Sequence, residues 1–322
     1  MTYLSQSSIP TTLDSPFKHL HPISLPRNDV EHLMTAFVNL LSQNRPDSSP
    51  EIEIRIGRIL SKSSLRRFSQ TQSTSSLVRL SSEYQFDPHM PAQLFSNVLN
   101  FMLTTNYTHK SSNTLNLIHK KGRITVDAND PKRTLACVQK AKSSVTHDMS
   151  CPDSQFDLRI SRSWEVHLDP REVVQTPLQL QRLLKRDSFS IPPFRLDMAQ
   201  TMTRTGKSFT VPFRNLAYEI EIEIEDIDHL QKAFKNFQAH KHEEMESLII
   251  EMFTIARFFQ DFMSNGVHTP LVNQPRPSDS SQMHSHVQQS KQEKDRQQHS
   301  RIQREKTETL NTRFNYTPKP KQ

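Results

Sequence analysis

Glu51 and Glu53, and farther along Glu219, Glu221, Glu223 and Glu225, alternate with isoleucine. Side chains two residues apart share one face of a strand, so each segment has an isoleucine face and a glutamate face. Glutamate is a poor strand former, and carboxylates spaced roughly 7 Å apart repel. Something cationic must stand opposite them. Carboxylate oxygens are hard ligands suited to Mg2+ or Mn2+. A second set of residues on other half-polar segments is basic: Arg55, Arg123, Lys140, Lys142, Arg159 and Arg195. Such groups cradle phosphate oxygens. A metal and several cations converging on one point is what phosphoryl transfer requires, because charge on the transferring group is spread over oxygens and positioning with electrostatics does most of the work. That chemistry points to a polyphosphate substrate. The competing reading is a wet sheet face whose cross-strand ion pairs contribute roughly 0.2 to 1 kcal/mol each, and the glutamate strand alone does not choose between them.

The elements that position these residues follow from local pattern. Residues 1–27 are Ser, Thr and Pro rich without a period and read as a flexible arm. Asn28 with Glu31 predicts a capping box for a helix whose stripe is Val30, Leu33, Met34, Phe37 and Leu40. Glu51 to Ile59 is the first strand, and a loop is expected over 69–76. A second helix follows Pro88 or Pro91. Strands are expected over 116–126, 134–142, 156–168, 194–198 and 208–213, with a short leucine-rich helix near 177–185. After the glutamate strand, Asp228 caps a short helix, and Glu243 to Met263 forms a long one. Residues 266–322 read as a disordered basic tail, which leaves 28–265 as the folded domain. The connections are mostly too short and polar for crossover helices, so the pattern is α+β with antiparallel strands. Closing these strands into a barrel with a polar interior would put amphipathic helices on the isoleucine face.

Composition narrows the function classes. The chain has 322 residues but only 4 glycines, and no glycine-rich phosphate loop or dinucleotide fingerprint occurs. Two cysteines, Cys137 and Cys151, exclude a disulfide framework and predict reduced thiols in an intracellular protein. No stretch approaches a membrane span, so no membrane partner is expected. From Leu271 onward ten Lys/Arg stand against five Asp/Glu, so most of the net charge of +7 belongs to the tail. The tail could hold RNA loosely through phosphates.

Six short motifs now fall in order. Glu51-Ile-Glu53-Ile-Arg55-Ile-Gly57 resembles the first glutamate motif of the triphosphate tunnel metalloenzymes, and Tyr218-Glu219-Ile-Glu221-Ile-Glu223 resembles the last. Between them, Gly122-Arg123-Ile124, Gln139-Lys140-Ala141-Lys142, Phe156-Asp157-Leu158-Arg159-Ile160-Ser161 and Arg195-Leu196-Asp197 are similar to strands of the fungal and protozoan type of mRNA-capping RNA 5'-triphosphatase. The resemblance spans residues 28 to 265. It implies a closed eight-stranded antiparallel tunnel, a divalent metal (Mg2+ or Mn2+), and hydrolysis of the terminal phosphate of 5'-triphosphate RNA in the nucleus. It implies Glu51, Glu53 and Glu223 as metal ligands, and Glu219 or Glu221 orienting the attacking water. Arg123, Lys140, Lys142, Arg159 and Arg195 would hold phosphates, with Asp197 positioning its basic neighbours. Glu225 extends the last motif by one step and leaves its register open. Where the family's Arg-x-Asp strand continues to a threonine, this chain has Ala199, and Thr201 lies on the same face. No Lys-x-Asp-Gly motif occurs, so a guanylyltransferase is expected as a separate polypeptide; a homodimer is a family-based expectation. Two alternatives remain: a tunnel hydrolase of inorganic triphosphate, polyphosphate or free nucleotides, and a non-catalytic module of the capping apparatus.

Overall fold

The computed structural model describes Phe17, Ile23 and residues 25–43, 48–69, 74–141, 145–205 and 212–265. All belong to the first of the two units into which the chain divides, Met1–His268 and Thr269–Gln322. Lys142, most of the expected arm and of the strand at 208–213, and the expected tail lie outside the described residues.

The elements run α1 (Arg27–Leu41), β1 (Ser48–Ser61), β2 (Ser76–Val78), β3 (Tyr84–Asp87), α2 (Ala92–Leu103), β4 (Thr108–His119), β5 (Arg123–Asp127), β6 (Thr134–Lys140), β7 (Val145–Ser150), β8 (Asp157–His167), α3 (Pro170–Val173), β9 (Leu178–Ile191), β10 (Phe194–Thr205), β11 (Arg214–Ile224), α4 (Ile227–Gln238) and α5 (Glu243–Asn265). Strands β1, β11, β10, β9, β4, β5, β6 and β8 follow one another in a ring that closes where β8 pairs with β1 from Ser48↔Val166 to Gly57↔Asp157. Every neighbouring pair in the ring is antiparallel. The fold is thus a closed eight-stranded antiparallel tunnel with helices against its outside. Beyond the ring, β7 runs along the same edge of β8 as β6, β2 pairs with β7, and β3 pairs with the end of β1.

Several expectations of local structure are corrected. Residues 178–191 form strand β9, not a helix near 177–185. Its leucines suit either period, but β9 lies between β4 and β10 with a long ladder on each side, and those pairings override helical propensity. Residues 116–126 are two strands, because the chain turns between His119 and Arg123, where the His119 amide donates to the Gly122 carbonyl at 2.8 Å. Helix α1 begins at Arg27 with no side-chain cap. The carbonyl of Pro26, the N-cap residue, accepts from the amides of Asp29 and Val30, so the first turn closes on a backbone acceptor and Asn28 has no capping role. Asp226, not Asp228, caps α4 by accepting from the His229 amide at 2.8 Å.

The isoleucine faces supply the core. Ile52, Ile54 and Ile56 of β1 and Ile220, Ile222 and Ile224 of β11 are each at most 2% exposed. They share one apolar cluster with Met245, Leu248, Met252, Phe253, Ala256 and Phe259 of α5. Each fully buried isoleucine stabilises the fold by roughly 1.5–3 kcal/mol. Helix α1 packs against α5 and β8, where the Trp164 indole N–H donates to the Leu40 carbonyl at 3.3 Å. This layer fixes the strand register, since a slip of one residue would turn the isoleucines into the lumen. Gly57 permits β3 to close over β1: a Cβ there would lie 2.4 Å from the Asp87 carbonyl oxygen and 2.6 Å from the Phe86 ring. Among the described residues no helix is long and apolar enough to cross a membrane.

Candidate active site

The lumen is built from the faces opposite the isoleucines. Register sets Glu53 of β1 directly across from Glu223 of β11, and Arg55 across from Glu221. On the other side of β11, Arg195 of β10 stands across from Glu223 and Asp197 across from Glu221. Three adjacent strands therefore form a lattice in which Glu53, Glu221, Glu223 and Asp197 each have a guanidinium beside them. Arg55 contacts Glu53 at 3.0 Å and Glu221 at 2.8 Å. Arg195 contacts Glu223 and Asp197, and reaches Glu225 at 3.5 Å. Across the β1–β8 seam, Lys140 of β6 bridges Glu51 at 2.7 Å and Glu53 at 3.8 Å, and the Ser163 hydroxyl donates to Glu51 at 2.9 Å. The four glutamates of this segment are thus distinguished by place: Glu223 faces Glu53, Glu221 sits one step beyond, Glu219 is 4.0 Å from His89, and Glu225, just past the end of β11, is the most exposed.

Burial and crowding set the protonation of this wall. Glu53 is 3% exposed, and burial first, then the nearby Glu221 charge, push its carboxyl up to about 7. Glu223 is pushed up to about 8, chiefly by burial and then by Glu51, Asp197 and Glu53, against the pull of Arg195. Burial acts on Glu51 in the same direction, but Lys140, with the Ser163 hydroxyl and Arg123, outweighs it and holds that carboxyl below its ordinary range. Burial opposes the charges of Arg55, Lys140 and Arg195 as well, yet the surrounding carboxylates raise all three above their usual values.

The opposite wall is basic, and part of it escapes the sequence reading. Arg123 of β5 pairs with Glu165 of β8 at 3.0 Å. Arg186 of β9 faces Ala199 across the ladder and contacts Asp197 at 3.1 Å. Arg182 stands two pairs farther along the same face, opposite Thr203. Neither Arg182 nor Arg186 belongs to the expected set: Arg182 falls in the segment expected as a helix near 177–185, and Arg186 just beyond it. Glu165 is likewise outside the expected set. The Nε–H groups of Arg123, Arg182 and Arg186 are buried without an acceptor. Asp197, 1% exposed, receives Arg195, Arg186 and the Ser188 hydroxyl at 2.6 Å. The structure does not bring Arg159 to the carboxylate cluster: its guanidinium is held by Asp148 of β7. At the place of the missing threonine, Ala199 faces Glu219, while Thr201 faces Ala217, so no β10 hydroxyl stands across from Glu219.

Among the described residues, no three carboxylates, histidines or cysteines stand close enough together to cage an ion as they are. The carboxylates lean instead on Lys140, Arg55 and Arg195. Their chemistry nonetheless fits a divalent cation. Glu51, Glu53 and Glu223 offer hard oxygens from neighbouring strand positions, and Glu53 and Glu223 are kept from ionising fully by burial first and then by neighbouring carboxylates. A doubly charged ion among them would relieve that repulsion.

Residues 24–260 match the family model of the mRNA capping enzyme, beta chain, the mRNA triphosphatase family. No curated protein matches the chain. Among solved structures, the RNA triphosphatase Pct1 of S. pombe in complex with the Spt5 CTD is similar at 17% identity and a TM-score of 0.63, covering 74% of this chain and 95% of that one. A second structure of S. pombe Pct1 RNA triphosphatase is similar at 20% identity and a TM-score of 0.60, covering 74% and 94%. At these identities the likeness concerns the fold.

Proposed function

The chain belongs to the mRNA capping enzyme beta-chain family, and from that premise we propose how its tunnel removes the terminal phosphate of triphosphate-ended messenger RNA to leave a 5'-diphosphate. The observation that carries the proposal is the direct pairing of Glu53 with Glu223 inside a closed ring, two carboxyls pushed up to about 7 and about 8. Such a pair destabilises the empty fold and suits a cation.

Glu51, Glu53 and Glu223 would hold Mg2+ or Mn2+. Such an ion, when bound, would supply positive charge against the oxygens of the transferring phosphoryl group. Lys140 and Arg195, already in contact with those carboxylates, place their remaining N–H donors beside the same oxygens. Arg123 and Arg186 approach from the opposite wall, where their buried Nε–H groups have no acceptor until a polyanion arrives. Asp197 keeps Arg195 and Arg186 extended into the lumen. Glu221 is the better placed of the two carboxylates expected to orient the attacking water. Its charge acts strongly on Glu53, whereas Glu219 lies one step farther toward the tunnel end. Closure of the ring limits the water that can compete, which strengthens every charge contact inside. Lys142 joins the phosphate-holding set on its sequence motif alone. We assign catalysis to residues 28–265 and the work of the enzyme to the nucleus, where a separate guanylyltransferase would consume the diphosphate end.

The test is phosphate release from triphosphate-ended RNA with Mn2+ or Mg2+. Removing one contact that stabilises transition-state charge costs roughly 10²–10³ in kcat, so Glu53→Gln and Glu223→Gln should each lose at least that much. Undiminished release by both variants would overturn the proposal.

A further inference from the structure

A triphosphate RNA end carries a nucleoside beyond its phosphates, and one end of the tunnel holds a fixed flat group. Arg159 lies on β8 beside Arg55, on the lumen face, one strand step beyond Glu53. It makes a forked pair with Asp148, Nε to Oδ1 at 2.7 Å and a terminal nitrogen to Oδ2 at 3.0 Å. Its guanidinium also lies 4.7 Å from the centre of the Phe86 ring. Phe86 is itself held in place, because its ring occupies the space that any side chain at position 57 would need. The Arg159 side chain remains 27% exposed.

We infer that Arg159 is a stacking platform for the first nucleobase, and not the phosphate ligand that its motif suggests. The inference rests on the triphosphatase reading of the tunnel. Asp148 neutralises the guanidinium and takes two of its donors, which weakens it as a phosphate ligand. The same fork, with Phe86, fixes the plane of the group, and an arginine plane is a surface on which unpaired bases stack. The location agrees. Two residues of strand advance roughly 7 Å, about the span of the three phosphates, and the Phe86 ring against which the Arg159 guanidinium lies sits over Gly57, one step farther on, so a chain with its terminal phosphate near Glu53 that runs toward Gly57 brings its ribose and base to this end. Because stacking accepts every base, the platform favours nucleoside-bearing triphosphates over inorganic triphosphate without reading sequence.

The experiment compares kcat/KM for triphosphate-ended RNA with kcat/KM for inorganic triphosphate in the wild type, Arg159→Lys and Phe86→Leu. Lysine keeps the charge and removes the plane. The ratio of RNA to inorganic triphosphate should fall about 5- to 150-fold in Arg159→Lys, the range of one lost base stack. It should fall in the same direction in Phe86→Leu, with folding checked by circular dichroism. A ratio unchanged in both variants, or equal losses on both substrates, overturns the inference. If the wild type releases phosphate from neither substrate, the proposed hydrolysis fails instead. The same ratio, read as Kd by equilibrium dialysis with ATP and inorganic triphosphate, then decides the platform separately.

Discussion

Arg55 lies between two carboxylates, and replacing it by methionine tests whether the acidic wall depends on its internal cations. Arg55 approaches Glu221 at 2.8 Å and Glu53 at 3.0 Å. At an effective dielectric of 20 each contact carries a gross attraction of about 6 kcal/mol before desolvation is subtracted. The Nε–H is not aligned on an acceptor and the side chain is 30% exposed, so the net value falls well below that sum. Removing one partner of a buried pair costs about 3–5 kcal/mol, because a carboxylate is left without compensation. The partial exposure places Arg55→Met near the lower end, about 3 kcal/mol. The variant Arg55→Met/Glu221→Gln removes a carboxylate charge along with the guanidinium, and replacing both members of a buried pair is far less damaging than breaking it. It should recover at least half of the loss. The assay is urea unfolding at pH 7.5 with EDTA present throughout. A loss below about 1 kcal/mol in the single variant, or a double variant no more stable than the single, would refute the picture of a mutually compensated wall.

Two further outcomes follow from the same geometry. Arg186→Gln removes a lumen guanidinium that contacts Asp197 and has a buried Nε–H without an acceptor. By the same scale of about 10²–10³ for a lost transition-state contact, it should reduce kcat on triphosphate RNA and, because Asp197 keeps Arg195 and the Ser188 hydroxyl, destabilise the fold less than Arg55→Met; an unaltered kcat would remove Arg186 from the site. Gly57→Ala puts a methyl group 2.4 Å from the Asp87 carbonyl oxygen, a backbone atom that cannot swing away. Overpacking of this kind costs about 1–3 kcal/mol, and urea unfolding of the variant should show it; wild-type stability would mean that β3 moves freely off β1.

The parts of the site that were legible share one property: their local alternation is also their three-dimensional arrangement. In residues 219–224 every second residue is an isoleucine beneath α5 and the others line the lumen, so the period alone separates core from site. The same holds for β1 and for the Phe156 to Val166 stretch. Strand β9 hid its role because Leu178, Leu180, Leu183 and Leu184 satisfy a helical stripe as well as a strand. Leu184 also breaks the polar face, lying 8% exposed between two lumen arginines. A usable signal was present all the same, since Arg182, Arg186, Ser188 and Ser190 fall on one side at a spacing of two. Strands β2, β3 and β7 were missed for another reason. They are short additions to the ends of β7, β1 and β8, with too few residues to show a period. The role of Arg159 could not be read at all, because it depends on Asp148 and Phe86, which come from two of those additions.

The glutamate strand is puzzling only when stability and function are asked of the same face. Paired charges inside a protein stabilise it little, since desolvation cancels most of their attraction. Here burial first, and neighbouring carboxylates after it, push two lumen carboxyls above their ordinary range, so their charged forms cost the fold. The free energy that offsets this must come from outside the ring, where six isoleucines of β1 and β11 lie at most 2% exposed against the apolar stripe of α5. Each of these strands therefore divides its labour by face. The outer residues fix the register, and that register holds Glu53 against Glu223 in an arrangement their charges alone would not adopt. A binding module with no catalytic role would gain nothing from such opposition, and neutral substitutions at either position would relieve it. Glu53 set across from Glu223 suits a site whose compensating charge arrives with its cation.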